Sequence, residues 1–183
     1  MKLVLDACVL YPTVMREVLL GAAGVGFFTP VWSERLLEEW ARAARKLGPE
    51  GEAQARAEVA MTRAAWPEAE QAAAAGLEAR LWLPDPADVH VLAVAIASSA
   101  DGIVTVNAKD FPRNVLAEEG VVRMDPDGLL HGFWQADADR MQAVGQAVLA
   151  QANQFSDWTM RALMKKARLP RLGKALEQGL DPI

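Results

Sequence analysis

Apolar and polar positions change rhythm repeatedly along the first 130 residues, and each change predicts an element. Residues 2–5 are an apolar run after Lys2 that stops at Asp6, the pattern of a short buried strand. Residues 7–12 connect it to 14–23, where apolar positions recur at helical spacing until Gly21, Gly24 and Gly26 end them. Residues 26–32 predict a second strand. Ser33 comes next as an N-cap, and Glu34 sits in the first turn, where the helix dipole favours negative charge. The helix over 34–46 turns Leu36, Leu37 and Trp40 inward beside Glu38 and Glu39. Gly48-Pro49 and Trp66-Pro67 bracket an amphipathic helix over 52–65, and the Ala-rich stretch 69–81 predicts another.

The stretch 85–111 organises the rest of the chain. It opens on a Pro-broken acidic turn (Asp85, Pro86, Asp88) and runs through the almost purely apolar segment 91–97. It breaks at 98–102 and rises into Ile103, Val104, Thr105 and Val106 before Asn107, Asp110 and the Phe111-Pro112 turn. Helix, turn, strand and turn succeed one another, with polar groups gathered where the helix begins and the strand ends. Residues 115–119 predict a short helix and 121–124 a last strand, and Asp125-Pro126-Asp127 starts a helix carrying Leu129, Leu130, Phe133 and Trp134. Past Asp137 the strand signal disappears, and 137–152, 156–168 and 170–178 all predict helices. Strands alternating with helices predict an α/β fold with a mainly parallel sheet. The expected organisation is therefore an α/β body over 1–135 and a C-terminal helical extension over 136–183.

Composition narrows the function classes. A single cysteine, Cys8, allows no internal disulfide and fits a reducing cytoplasm. With only His90 and His131 beside it, the chain lacks the Cys/His set of the usual structural zinc site. No apolar run approaches the roughly 20 residues that span a bilayer, and Asp6 interrupts any secretory-signal pattern at the amino terminus. The net charge of −5 matters more. A protein that grips nucleic acid through phosphates alone is usually basic, so such a partner must be met through bound metal or a local basic patch. One basic window is visible: Arg161, Lys165, Lys166, Arg168, Arg171 and Lys174 fall in a run without an acid, which reads equally as a solvated helix face, an RNA contact or an antitoxin contact.

Right-handed crossovers line the strand ends of a parallel sheet along one edge, where ligands bind. Asp6 ends the first strand, Glu39 lies in the helix after the second, Asp88 starts the helix before the third major strand, and Asp110 comes after that strand with Asn107. Two carboxylates about 5 Å apart repel by roughly 3 kcal/mol at an effective dielectric near 20, so such a cluster calls for a divalent cation. Hard oxygen ligands with little His and Cys favour Mg²⁺ or Mn²⁺. A cation held this way suits phosphodiester hydrolysis and explains how an acidic protein meets a polyanion.

Four segments carry a resemblance: Leu5-Asp6-Ala7-Cys8-Val9-Leu10-Tyr11-Pro12, Trp32-Ser33-Glu34-Arg35-Leu36-Leu37-Glu38-Glu39-Trp40, Asp85-Pro86-Ala87-Asp88-Val89-His90-Val91-Leu92-Ala93 and Val104-Thr105-Val106-Asn107-Ala108-Lys109-Asp110-Phe111-Pro112. In order and separation they resemble the motifs of the PIN-domain family, and within it the VapC-like toxin ribonucleases of bacterial toxin–antitoxin pairs. The resemblance covers about residues 2–130. It implies a three-layer α/β/α, Rossmann-like fold, Mg²⁺- or Mn²⁺-dependent cleavage of RNA, a homodimer and a cognate antitoxin. Carried over by position, Asp6, Glu39, Asp88 and Asp110 match the acidic catalytic and metal-binding residues. Asn107 matches the polar residue before the last acid, and Asn107 and Thr105 are the expected ligand-orienting groups. Cys8 departs from the pattern, standing where many members have Asn. Helix phase does not separate Glu38 from Glu39; the family pattern favours Glu39.

Plainer roles compete at each position. Asp88 is well placed to cap a helix, Asn107 and Asp110 to form a turn, His90 to be a satisfied helix-start residue and Cys8 to be a small buried hydrophobe. The competing function is a PIN-like module that binds RNA or a protein without cutting. A phosphatase built on Asp6 as nucleophile is excluded, since it needs a second Asp where Cys8 stands.

Overall fold

The computed structural model describes residues 1–178. In chain order its elements are β1 (Lys2–Leu5), the single turn α1 (Ala7–Leu10), α2 (Thr13–Gly24), β2 (Thr29–Ser33), α3 (Glu34–Ala43), α4 (Pro49–Ala65), β3 (Glu70–Gln71), α5 (Ala75–Glu78), α6 (Val89–Ala97), β4 (Gly102–Val104), α7 (Arg113–Glu118) and β5 (Val122–Met124). Four helices complete it: α8 (Pro126–Ala136), α9 (Ala138–Ala152), α10 (Met160–Lys166) and α11 (Pro170–Gln178). Single 3₁₀ turns, Ala44–Leu47 and Pro86–Asp88, precede α4 and α6.

The strands form one sheet in the order β3-β2-β1-β4-β5, and every pairing in it is parallel. The chain moves outward from β1 through β2 to β3, then returns across the sheet to β4 and on to β5. Right-handed crossovers in opposite directions place α3 and α4 on one face and α6 and α7 on the other. The result is the three-layer α/β/α fold expected. Strand order reverses between β1 and β4, which makes their carboxyl ends the topological switch point where such folds bind ligands. Val4 pairs with Val31 on one side and Ile103 on the other, and Leu5 pairs with Val104, so Asp6 and Thr105 leave the sheet side by side.

The core explains the apolar segment before β4. Helix α6 packs against β1, β2 and β4, and Val91, Leu92, Ala93, Val94 and Ala95 are all buried. A helix covered nearly all round has no polar face to display. Leu3, Val4, Leu5, Trp32, Leu36, Leu37 and Trp40 fill the rest of this core.

Several boundaries differ from expectation. The stretch 69–81 is not one helix. Trp32 N donates to Ala69 O at 3.0 Å, and Trp32 and Ser33 pair with Glu70 and Gln71, so two polar residues become the edge strand β3. Tertiary pairing overrides the Ala-rich helix propensity there, and only Ala75–Glu78 turns helical. Strand β2 begins at Thr29 rather than at Gly26, whose φ of 89° belongs to the turn after α2. Helix α3 stops at Ala43 and tightens into the 3₁₀ turn before Gly48, also at φ 89°.

Packing groups the chain into two compact units: Met1–Tyr11 with Thr29–Met124, and Pro12–Phe28 with the segment from Asp125 onward. The expected boundary at 135/136 divided the chain by element type. The compact units follow packing instead, with α2 and α8 grouped with the later helices. In that second unit Phe133 stacks on Phe27 and Phe28, with ring centroids 4.8 and 5.9 Å apart. A Cβ added at Gly21 would lie 2.8 Å from Val144 Cγ1, so any other residue there would force Val144 to shift where α2 meets α9. The buried carboxylate of Asp127 accepts from Arg171 N at 3.1 and 3.0 Å and from Leu172 N at 3.0 Å, capping α11 from outside.

Candidate metal centre

Asp6 stands directly after β1, and its N–H donates to Val104 O at 3.2 Å, continuing the β1–β4 pairing by one bond. Its side chain is buried and oriented by two donors on one oxygen: Thr105 Oγ1 at 2.7 Å and Cys8 Sγ at 2.9 Å, both to Oδ2. Thr105 in turn accepts from Asn107 N at 2.9 Å, and Asn107 Nδ2 donates to Asp110 Oδ2 at 2.5 Å. One continuous set of hydrogen bonds thus sets Asp6 and Asp110 and leaves one oxygen of each outside these bonds.

Asp88 reaches the same edge from the amino end of α6. It does not cap that helix through its side chain. Asp85 takes the capping role instead, accepting from Ala87 N at 2.9 Å at the start of the 3₁₀ turn. The consequence is chemical: Asp88 Oδ2 is buried and has no hydrogen-bond partner. Burial first, and then the charges of Asp6, Asp85, Asp110 and Glu39, push its carboxyl up to about 6. One ligand atom each of Asp85, Asp88 and Asp110 lies within 4.8 Å of the others.

Glu39 projects from α3. Its Oε1 lies 3.2 Å from Arg35 Nε and 3.0 Å from His90 Nε2. Burial pushes its carboxyl up, but His90 and then Arg35 outweigh that and hold it below the usual range. Arg35 also donates through Nη2 to Ala87 O at 3.0 Å, tying α3 to the turn that carries Asp85 and Asp88. The neighbouring Glu38 faces elsewhere, bonded to Arg42 and to Arg56. The ambiguity between the two glutamates is therefore one of facing: the charge of Glu39 is felt at Asp88, while Glu38 belongs to an arginine cluster.

Of the expected acids, Asp88 and Asp110 are brought within ligand distance of each other. Asp6 and Glu39 stand outside that 4.8 Å triad, yet close enough for their charges to act on Asp88. Asp85 completes the triad and was legible only as the first acid of a broken turn. Its signal was the Asp-Pro-x-Asp spacing, which puts two carboxylates three residues apart on one side of a tight turn. Cys8 is more than a buried hydrophobe. Burial, and then Asp6, push its thiol up to about 12, so it stays protonated and donates where an amide would otherwise stand. His90 is 3 % exposed and partners Glu39.

These groups fit a hard divalent cation. An all-oxygen donor set with a buried, unpartnered carboxylate oxygen suits Mg²⁺ or Mn²⁺ rather than zinc, and leaving that oxygen unsatisfied is costly. Asp85, Asp88 and Asp110 offer one ligand atom each for such an ion.

A family model described as the PIN domain matches residues 2–109. No curated protein and no solved structure matches the chain.

Proposed function

Because this chain belongs to the PIN-domain family, whose members are typically metal-dependent nucleases, we propose that it is a Mg²⁺- or Mn²⁺-dependent endoribonuclease, the toxin of a VapC-like toxin–antitoxin pair. The observation that carries this reading is the unpartnered buried oxygen of Asp88 amid four other carboxylates. An acid left this way stabilises nothing by itself; it is suited to a cation.

Asp6, Glu39, Asp88 and Asp110 form the catalytic and metal-binding set, joined by Asp85. When bound, the cation supplies Lewis acidity at the phosphoryl oxygen and charge stabilisation at the leaving oxygen. The chain supplies orientation. Thr105 and Cys8 turn Asp6, Asn107 turns Asp110, and Arg35 aims Glu39, with His90 beside it helping to keep it ionised. These outer hydrogen bonds matter because a ligand held in one rotamer loses less entropy on binding and keeps its lone pair aimed. On this reading residues 1–135 are the nuclease module and 136–183 its helical extension. The partners are an RNA substrate, a cognate antitoxin and a second copy of the chain, and the compartment is the cytoplasm.

Purified protein should cleave RNA only with Mg²⁺ or Mn²⁺ present, and Asp6→Asn should lose cleavage by at least about 100-fold while keeping its fold. Mn²⁺ should raise the melting temperature of the parent protein, because an ion that binds only the folded state stabilises it. A PIN-like module that binds RNA or protein without cutting would show neither cleavage nor that shift, and metal-independent cleavage would refute the assignment.

A further inference from the structure

The second compact unit carries a surface of opposite character. Helices α10 and α11 and the turn between them expose Arg161, Lys165, Lys166, Arg168, Arg171 and Lys174 while burying Leu163, Met164, Leu169, Leu172 and Leu176. Only Arg161 is matched there, by Glu177 at 2.7 Å. The other five cations make no ion pair with a carboxylate of the described residues. Elsewhere the protein pairs its arginines closely, as Arg56 with Glu38 and Glu52, Arg63 with Glu70, and Arg80 with Glu119. Unmatched charge at this density repels itself, so this face is set apart.

The segment just before α10 adds aromatic rings. The loop leading into α10 holds Phe155, which is 95 % exposed, and Trp158, over whose ring the Lys166 ammonium lies at 4.6 Å from the centroid. Asn153 fixes this loop from both sides, its Oδ1 accepting from Trp158 N at 2.7 Å and its Nδ2 donating to Trp158 O at 2.9 Å. The ring of Trp158 is thus presented on a pinned backbone.

Arg168 gives an independent sign. It lies just past α10 with φ at 61°, and Leu169 N donates to Met164 O at 2.8 Å, closing the helix in the manner normally given to glycine. An L-residue there is strained, and Arg has no local bonding compensation of the kind Asn offers. The cation is kept at a backbone position that glycine would occupy without strain.

We infer that the α10–α11 face, with Phe155 and the Trp158–Lys166 pair, is a binding surface for single-stranded RNA, distinct from the acidic cluster. Cations that neutralise phosphates, combined with rings on which bases stack, are the two elements of sequence-tolerant single-strand recognition. An acidic protein segment would use the cations and leave the rings without a planar partner. The surface binds RNA whether or not the acids cut it.

The test uses the full-length chain carrying Asp88→Asn, in EDTA, with a fluorescently labelled oligouridylate titrated across a range of NaCl. Binding should weaken steeply with salt. The triple variant K165Q/R168Q/K174Q should lower the slope of log affinity against log salt by about 2, since each lost phosphate contact on a single strand removes about 0.7. Phe155→Ala should weaken binding at least about fivefold, the loss expected for one stacked base, with the slope unchanged. Arg168→Gly separates function from structure: its melting temperature should hold or rise while its affinity falls. Unchanged slope and affinity in the triple variant would overturn the inference. So would displacement of the oligouridylate by poly-glutamate as effectively as by unlabelled RNA, which would mark a docking face for an acidic protein. Metal-dependent cleavage of a short RNA by the triple variant, with Asp88 intact, would leave the nuclease assignment standing in either case.

Discussion

Asp88 and Asp127 occupy comparable places in two different parts of the molecule, each in the first turn that opens a helix, and their surroundings are opposite. The carboxylate of Asp127, 6 % exposed, accepts backbone N–H groups from Arg171 and Leu172 and so joins α8 to the start of α11. Asp88 has a buried oxygen with no donor at all and four other acids acting on it. A buried acid supplied with donors is a structural joint. A half-buried acid whose buried oxygen meets only like charges is a place for a cation. The type of residue and its position in the helix do not distinguish these roles; the hydrogen-bond donors around it do.

The contrast is broken most severely by exchanging activity for stability. Asp88→Asn should abolish metal-dependent cleavage and leave the metal-free melting temperature unchanged or higher, because it removes repulsion and no hydrogen bond. Asp127→Ala should do the reverse. Losing a charged acceptor for buried N–H groups costs on the order of 3 kcal/mol, a fall of roughly 6–12 °C in Tm for a chain of this size. Cleavage by the fraction still folded should be preserved. Thermal melts and cleavage assays on the two variants check both halves.

Acidity sharpens the same comparison with a smaller effect. The Asp88 carboxyl stands at about 6 in the fold against 3.8 ordinarily. The folded, metal-free protein therefore binds that proton more tightly than the unfolded chain and should gain stability as pH falls from about 7 through 6 towards 5. The gain should be absent in Asp88→Asn, and it should vanish in saturating Mn²⁺, where the cation replaces the proton. Equilibrium denaturation at about pH 7 and about pH 5, with and without Mn²⁺, measures it.

The smallest expected effect concerns Cys8. Cys8→Ala removes one of the two donors to Asp6 Oδ2 while Thr105 remains. Mn²⁺ affinity should fall by about tenfold, the lower end of what outer-layer contacts to metal ligands contribute. Cys8→Asn, restoring a donor of the kind common in the family, should recover most of it. Calorimetric titration of Mn²⁺ into the three proteins orders them.

Much of the sheet edge was legible because the chain declares it locally. An apolar run ending at Asp6, a Ser33 that caps α3 through Leu36 N, and an apolar α6 leading to a β-branched strand each depend on nearest neighbours. What was hidden depends on distant ones. Strand β3 is two polar residues whose only reason to be extended is the edge of β2, so the Ala-rich composition of 69–81 pointed to helix. Asp88 fitted a cap by position, yet Asp85 makes that bond, and only the folded turn shows which carboxylate is left over. His90 fitted a satisfied helix-start residue by position, and only the fold shows Glu39 Oε1 standing 3.0 Å from its Nε2. The grouping of α2 with α8 and α9 arises from facing surfaces such as Gly21 against Val144, which no local periodicity reports.

Every role proposed for the acidic edge rests on a divalent ion held by Asp88 and its neighbours. Anomalous X-ray scattering from crystals grown or soaked with Mn²⁺ tests it most directly. A manganese peak should stand in coordination contact with both Asp88 and Asp110. Manganese absent from that position at saturating concentration, or bound only at other acids with Asp88 Oδ2 still unpartnered, would contradict it.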